Sequence, residues 1–226
     1  MHVQQIDPDS PVGHIVATAP LTARVFTRHG IDYCCGGGAP LTAACNSKGL
    51  DVEHVLAELH AELDTAEAQP NRWLDAPLGE LIDHILEAYH RPLDEELPRL
   101  EAMARKVHSV HGPKDPDRLR AISRLCSELR AELEPHMRKE EMILFPMIRS
   151  GQGAMAQGPV HVMMLEHDQA GALLERLREL TDGYTVPAGA CNTWTALWHG
   201  LADLERSLHE HIHLENNILF PRALGT

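Results

Sequence analysis

The chain has 226 residues and a formal net charge of −13, with no basic cluster to offset it. This charge excludes nucleic acids and anionic membrane surfaces as main partners. Hydrophobic residues make up 43% of the chain, which excludes wholesale disorder, whereas aromatic residues make up only 4% and alternating β-type runs are scarce. The composition therefore favours an all-α protein with a real hydrophobic core.

The N-terminal segment, residues 1–69, has the pattern of a small helical domain. It contains a helical stretch at 20–26, a glycine-rich turn at 34–38, and a helix that Asp51 could cap and that extends to about residue 63. We expect roughly three short helices in this segment. Prolines at 70 and 77 break the periodicity, so we place a domain boundary between residues 69 and 70.

The remaining segment, 70–226, shows four long helical patterns separated by loops rich in glycine and proline. They span about 77–107, 117–148, 159–181 and 192–219, and the Phe220-Pro221 pair is expected to end the last one. Four helices of this length with modest loops predict an antiparallel four-helix bundle. Because an interior proline removes a helix hydrogen bond, Pro135 predicts a kink or bulge at 131–135.

Two segments at the ends of the second and fourth long helices are near copies of each other. Each reads His-x-x-x-Glu-x-x-x-x-Phe-Pro, and it begins at His136 in one and at His211 in the other. Residues four apart share a helix face, so His136 pairs with Glu140 and His211 pairs with Glu215. An ionised glutamate on an apolar stripe is costly unless it is paired or binds a metal. The repeat therefore predicts a shared, buried metal site.

The other two long helices each offer one histidine on the inner stripe, His84 in the first and His167 in the third. His90 lies six residues past His84 and is rotated off the stripe. The histidines at 29, 54, 60, 108, 111, 209 and 213 are expected to be solvated. Four histidines and two glutamates exceed the needs of one tetrahedral zinc ion, and mixed nitrogen and oxygen ligands suit a pair of iron ions.

The chain resembles the RIC proteins, the YtfE/ScdA-type family that repairs iron centres, over nearly its whole length. The matching strings are IDHI (82–85), KEEMILFPMI (139–148), EHDQAG (166–171), CNTW (191–194) and LENNILFPRAL (214–224). The resemblance implies a ScdA-type N-terminal domain, a hemerythrin-like bundle, and two iron ions with oxo and carboxylate bridges. It also implies repair of iron–sulfur clusters damaged by nitrosative or oxidative stress, by donation or mobilisation of iron.

Carried across position by position, the resemblance implies the same six iron ligands that helical geometry selects. They are His84, His136, Glu140, His167, His211 and Glu215.

The adjacent Cys34 and Cys35 lie in a glycine-rich turn and can hardly form an unstrained disulfide. As thiolates they could hold iron, exchange thiols or bind nitric oxide, and the similar family pair is thought to deliver or receive iron. The alternative is a tight turn made of small residues.

Glu132 and Glu166 match acidic positions that line a route to the metals in the family, so they are candidates for guiding iron or protons. Ordinary surface charge is the alternative for both.

Two other functions stay open on the sequence: an oxygen or nitric oxide carrier or sensor, and a nitric oxide reductase. The Cys-Cys domain favours repair because plain hemerythrins lack it. Expected partners are damaged iron–sulfur proteins, with nitric oxide or dioxygen as small ligands, and a homodimer is one option for the assembly.

The first ten residues lack a leader pattern, no apolar run could span a membrane, and five cysteines suit reduced thiols, so we expect a cytoplasmic protein.

Overall fold

In a computed structural model, described for residues 6–64 and 71–225, the chain folds as an all-α protein. The described residues contain no β-strand, and none of their helices has the length and apolar composition needed to cross a membrane. The boundary expected between residues 69 and 70 lies outside the described residues. The chain packs as two units: the first combines residues up to Leu81 with those from His209 on, and the second is Ile82–Leu208.

The described part of the first unit contains four short N-terminal helices, one more than the sequence pattern predicts. They are α1 (Val12–Thr18), α2 (Ala23–His29), α3 (Leu41–Ser47) and α4 (Val52–Asp64). Helices of seven residues, such as α1 and α3, complete only about two turns, so they leave little periodic signal. Val12, Phe26, Leu41 and Leu59 form a buried core, and Ile212 from the C-terminal segment packs into the same cluster.

The four long helices predicted from the sequence are present, although three of them are divided into segments. The segments are α5 (Leu78–Ile85), α6 (Arg91–His111), α7 (Pro116–Lys139), α8 (Phe145–Arg149), α9 (Gln157–Leu180), α10 (Asn192–Leu214) and α11 (Phe220–Leu224).

The core of the second unit draws buried side chains from all four long helices. Leu97 of α6, Leu129 of α7, Leu174 of α9 and Trp198 of α10 belong to one apolar cluster. Burial of each such side chain contributes roughly 1.5–3 kcal/mol relative to exposure. This shared core confirms the predicted four-helix bundle.

Three π-turns interrupt the long helices in the described chain. They are Leu86–His90, Glu140–Leu144 and Glu215–Leu219. In each case the second residue of the following α-helix is a proline: Pro92, Pro146 and Pro221. A proline lacks the N–H that would bond the carbonyl four residues earlier, so the preceding turn is free to widen. The Phe220-Pro221 pair therefore does not end the fourth helix, because α11 continues it.

The bulge predicted at 131–135 is wrong in position. Helix α7 continues through Pro135 to Lys139, and the irregular turn begins five residues after the proline, at Glu140. Ala131, whose carbonyl loses its bonding partner at Pro135, lies on the exposed side of the helix. Water can bond that carbonyl, which removes the need for a local rearrangement.

Candidate metal centre

Three buried histidines of the second unit gather around one buried glutamate, and we call these four side chains the first ligand set. The set consists of Glu140, His90, His136 and His167, and Glu140 is 0% exposed. The Nε2 atoms of His90 and His136 lie 3.5 and 3.4 Å from Glu140 Oε2. The Nε2 atoms of His136 and His167 are 3.1 Å apart. These atoms converge closely enough for one metal ion to reach several of them.

The Glu140 carboxylate is the least satisfied polar group of this set. Both of its oxygens are buried, and neither accepts a hydrogen bond from any described residue. Burying an ionised carboxylate in this way costs several kcal/mol unless a positive charge offsets it. A metal cation beside the histidine nitrogens would supply that charge. The donor set of imidazole nitrogen and carboxylate oxygen fits iron.

The two histidines nearest Glu140 are each oriented by a second carboxylate. His90 Nδ1 lies 3.0 Å from Glu141 Oε1, and His136 Nδ1 lies 2.9 Å from Glu166 Oε2. A carboxylate at Nδ1 holds the proton there and leaves the Nε2 lone pair for a metal. The sequence did not single out Glu141. Its only signal was its position directly after Glu140.

Glu166 is also held as an anion by its neighbours. Burial raises its pKa, but hydrogen bonds from Lys139 and His136 outweigh that effect, and the pKa falls below the ordinary glutamate value. A charged Glu166 can therefore accept a hydrogen bond from His136 Nδ1–H throughout the neutral range.

His84 is absent from the groups of described residues that could hold a metal, and His90 is present in its place. His84 is half-buried with its ring 5.7 Å from that of Tyr89, whereas His90 is 0% exposed. The first π-turn explains why His90, and not His84, lies beside Glu140. A π-turn brings residue i+5 under residue i, so His90 lies below the buried Ile85 instead of rotating off the stripe. Pro92 was the available sequence signal for this irregular turn.

The second ligand set lies in the first unit and consists of His211 and Glu215. The Nε2 atom of His211 is 3.1 Å from Glu215 Oε1, and the two side chains are 2% and 0% exposed. His211 belongs to the last turn of α10, and Glu215 opens the third π-turn. The i, i+4 pairing predicted from the repeat is present in both ligand sets.

A cavity of about 220 Å³ lies beside His136 in the second unit. Both predicted acidic residues, Glu132 and Glu166, line it together with Lys139. The pKa of Glu132 is raised, first by partial burial and then by the carboxylates of Glu128 and Glu166. The cavity therefore offers a small approach to one histidine of the first ligand set, with two carboxylates and an ammonium group in its wall.

The Cys34-Cys35 pair lies in the first unit, on the loop between α2 and α3. Both thiols are reduced, with their sulfurs 3.9 Å apart. The Asp32 carboxylate organises the loop: Oδ1 accepts the N–H groups of Cys34 and Cys35 at 3.0 and 2.9 Å, and Oδ2 accepts that of Gly36 at 2.9 Å. Cys34 is 4% exposed, whereas Cys35 is half-buried.

The surroundings of Cys34 suppress the ionisation of its thiol. The pKa of Cys34 is raised well above its ordinary value by the hydrogen bond with Cys35, by burial, and by the charge of Asp32. The Cys34 thiol is also 3.1 Å from Asp32 Oδ1, to which it can donate. Cys34 is therefore held as a neutral thiol.

His213 is buried, at 5% exposure, so the prediction that it is solvated is wrong. Its ring lies 5.6 Å from that of Tyr33, which is 180 residues away in the chain. Burial lowers the pKa of His213 to about 4. A contact over this sequence distance leaves no trace in the local periodicity from which exposure was predicted.

Comparisons with known proteins match the chain to two domain families. The hemerythrin HHE cation binding domain matches residues 81–223, and the N-terminal ScdA domain, a domain of unknown function (DUF542), matches residues 8–63. The chain is 45% identical over 217 residues to the iron–sulfur cluster repair protein YtfE of Escherichia coli strain UMN026, covering 96% of this chain and 97% of that protein. The same figures hold for YtfE of Escherichia coli strain 536 and of Shigella boydii serotype 4.

The chain belongs to the YtfE family. This membership confirms the resemblance drawn from the sequence, with its hemerythrin-like bundle and ScdA-type N-terminal domain. In this YtfE-family chain, every residue of both ligand sets falls within the hemerythrin match at 81–223. The Cys34-Cys35 pair falls within the ScdA match at 8–63.

Proposed function

We propose that this protein repairs iron–sulfur clusters damaged by nitrosative or oxidative stress, by donating or mobilising iron from a di-iron centre. The observation that carries the proposal is the buried Glu140 carboxylate, which faces two histidine nitrogens and accepts no hydrogen bond from the described residues. The name of the relatives, iron–sulfur cluster repair protein, supports the biological role.

The proposed iron ligands are the members of both ligand sets, with His90 in place of His84. They are His90, His136, Glu140, His167, His211 and Glu215. One family model spans all six residues, and the His-x-x-x-Glu repeat supplies a carboxylate from each set. We propose that these two carboxylates, with an oxo group, bridge two iron ions.

The side chains around the ligands would orient them for iron. Glu141 and Glu166 keep the Nδ1 protons of His90 and His136, so that both Nε2 atoms can bind metal. Bound iron would supply the metal that a damaged cluster lacks. Glu132, at the cavity beside His136, offers a carboxylate on which a departing cation or proton could rest.

The Cys34-Cys35 pair would receive or deliver iron, because damaged clusters are themselves bound by cysteine thiolates. Cys34, a neutral thiol in the metal-free loop, would lose its proton when iron binds. The expected partners are iron–sulfur proteins, and nitric oxide or dioxygen would be small ligands of the iron. We propose a cytoplasmic location, which suits the reduced cysteines, and leave a homodimer as one option for the assembly.

The proposal is tested by the iron content and visible spectrum of the protein with two histidine substitutions. We expect the wild-type protein to hold two irons per chain and His90→Ala to lose most of its iron, since His90 Nε2 faces Glu140. His84→Ala is the matched control, six residues away on the same long helix, and should keep its iron. Loss of iron from the His84 variant alone would reverse this assignment, and an iron-free wild type after anaerobic loading would end the di-iron proposal.

The repair step needs its own readout. A purified iron–sulfur dehydratase inactivated by nitric oxide should regain activity with the iron-loaded wild type, and much less with His90→Ala. Consumption of nitric oxide without recovery of the dehydratase would instead support nitric oxide reduction as the function.

A further inference from the structure

The helical segment that carries His211 and Glu215 also makes contacts through its opposite face. His211 and Glu215 are four residues apart, and so are His213 and Asn217. The two pairs are offset by two residues, which corresponds to a rotation of about 200° on a helix. One face therefore presents a predicted metal ligand pair, and the opposite face presents His213 and Asn217.

The face with His213 and Asn217 contacts the loop that holds the two cysteines. Asn217 Nδ2 donates to the carbonyl of Cys34 at 3.1 Å and lies 3.3 Å from that of Tyr33. Asn216 Nδ2 lies 3.4 Å from the same Cys34 carbonyl. His213 Nδ1 lies 3.4 Å from the Tyr33 carbonyl and 3.3 Å from Asn217 Nδ2.

The space around Asn217 is fitted to its side chain. A Cβ on Gly13 would lie 2.1 Å from Asn217 Oδ1, and a Cβ on Gly37 would lie 2.4 Å from the same atom. The two glycine backbones also bond to each other, Gly13 N–H to Gly37 carbonyl at 2.8 Å. The Asn217 amide is therefore enclosed by two glycines on one side and by the loop carbonyls on the other.

An amide is the side chain that this enclosure requires. Its NH₂ group has two donor hydrogens, which match the carbonyls of Tyr33 and Cys34. An aspartate at this position would place a carboxylate oxygen against the two carbonyl oxygens. An apolar side chain would offer neither carbonyl a hydrogen-bond donor.

We propose that Asn217 is a positioning residue that fixes the Cys34-Cys35 loop on the π-turn beginning at Glu215. In this arrangement Cys34 stays masked and Cys35 is the thiol that meets a partner first. The assignment deepens the proposed repair function and rests on it for its biological meaning. The masking itself can be measured without any repair activity.

The test compares Asn217→Asp with wild type in the full-length, iron-loaded protein. Iodoacetamide labelling followed by peptide mass spectrometry gives separate rates for each cysteine. We expect Cys34 labelling to accelerate about tenfold relative to Cys35, because the loss of two hydrogen bonds favours local opening of the loop. Iron content and visible spectrum should not change. Asn46→Asp, on the exposed side of α3, is the matched control and should leave both rates unchanged.

A second variant keeps the proposal testable if the Asn217→Asp protein does not fold. Gly13→Ala improves the helix propensity of α1 but drives a methyl group into Asn217. It should unmask Cys34 as Asn217→Asp does, and Asn217→Ala in the same chain should remove the clash with the Asn217 amide. An unchanged Cys34 rate in both single variants would overturn the proposal, whatever the outcome of the iron and repair assays. Unmasking of Cys34 without any loss of repair would overturn the link to function alone.

Discussion

Two buried glutamates of the second unit show opposite solutions to the same energetic problem. Glu101 is 8% exposed, and its carboxylate accepts hydrogen bonds from Ser127 at 2.8 Å, Arg105 at 2.7 Å and Arg130 at 2.8 Å. Glu140 is more deeply buried and accepts none from the described residues. The described residues thus neutralise the Glu101 carboxylate but not that of Glu140, which is why we propose a cation beside Glu140.

Glu101→Gln should destabilise the protein at neutral pH and much less in acid. The Ser127 and Arg130 hydrogen bonds lower the pKa of Glu101. Its stabilisation is therefore present above the unfolded value, about 4.3, and is lost as the pH falls through the lower folded pKa. At pH 7 we expect a loss of about 1.5–3 kcal/mol, the size of a hydrogen bond to a charged group.

Urea unfolding of the Glu101 variant and the wild type, at pH 7 and near pH 3, measures this difference. Glu128→Gln, on the exposed side of the same bundle, is the control and should stay close to wild type at both values. An equal destabilisation at the two pH values would show that the ion pairs are not its source.

At the scale of elements, regular helices were predictable and their irregular turns were not. The bounds of the four long helices follow from apolar periodicity, which is a local property of the chain. A π-turn adds one residue to a single turn, and whether it forms depends on the packing of the segments on either side. For this reason the predicted His84 and the structurally placed His90 differ, although both lie on the same long helix.

Pro146→Ala should weaken iron binding without unfolding the protein. The substitution restores an N–H that can bond the Met142 carbonyl, which favours a regular α-turn over the π-turn that begins at Glu140. A shifted Glu140 would lower iron affinity by about tenfold, the scale of changes next to metal ligands. Competition with a ferrous chelator measures it.

Pro135→Ala is the matched control because α7 is already regular at that proline. Its iron affinity should equal that of the wild type. Wild-type affinity in the Pro146 variant would mean that packing alone, without the proline, maintains the π-turn.

At the scale of the whole molecule, packing and sequence families divide the chain differently. The hemerythrin match extends to residue 223, whereas packing groups residues from His209 on with the N-terminal helices. The C-terminal segment thus shares a core with the ScdA-type domain through Ile212. The division at residues 69 and 70 stays a prediction.

Removal of iron should lower the thermal stability of the whole protein. A ligand that binds only the folded state, at about 100 times its Kd, adds about 2.7 kcal/mol. For a chain of this size that corresponds to a rise in Tm of roughly 5–10 °C. Calorimetry before and after chelation should show the drop, and acidification should produce it too, because histidine must be deprotonated to bind metal.

His90→Ala supplies the control for this measurement, since chelation should change its Tm little. Equal Tm values for iron-loaded and chelated wild type would show that the metal binds without stabilising the fold.

The sequence by itself determined the all-α class, the four long helices and the two His-x-x-x-Glu pairs. These features depend on spacings of three to four residues, which a helix converts directly into a shared face. Five of the six proposed iron ligands, all but His90, could be predicted in this way.

The tertiary structure decided the features that depend on contacts between distant residues or on the packing of a helix. The choice of His90 depends on a π-turn, and the burial of His213 depends on Tyr33, 180 residues away. The anchoring of the Cys34 loop by Asn217 likewise joins residues 183 positions apart. Contacts between distant segments form only when the chain is packed, so no periodicity in the sequence records them.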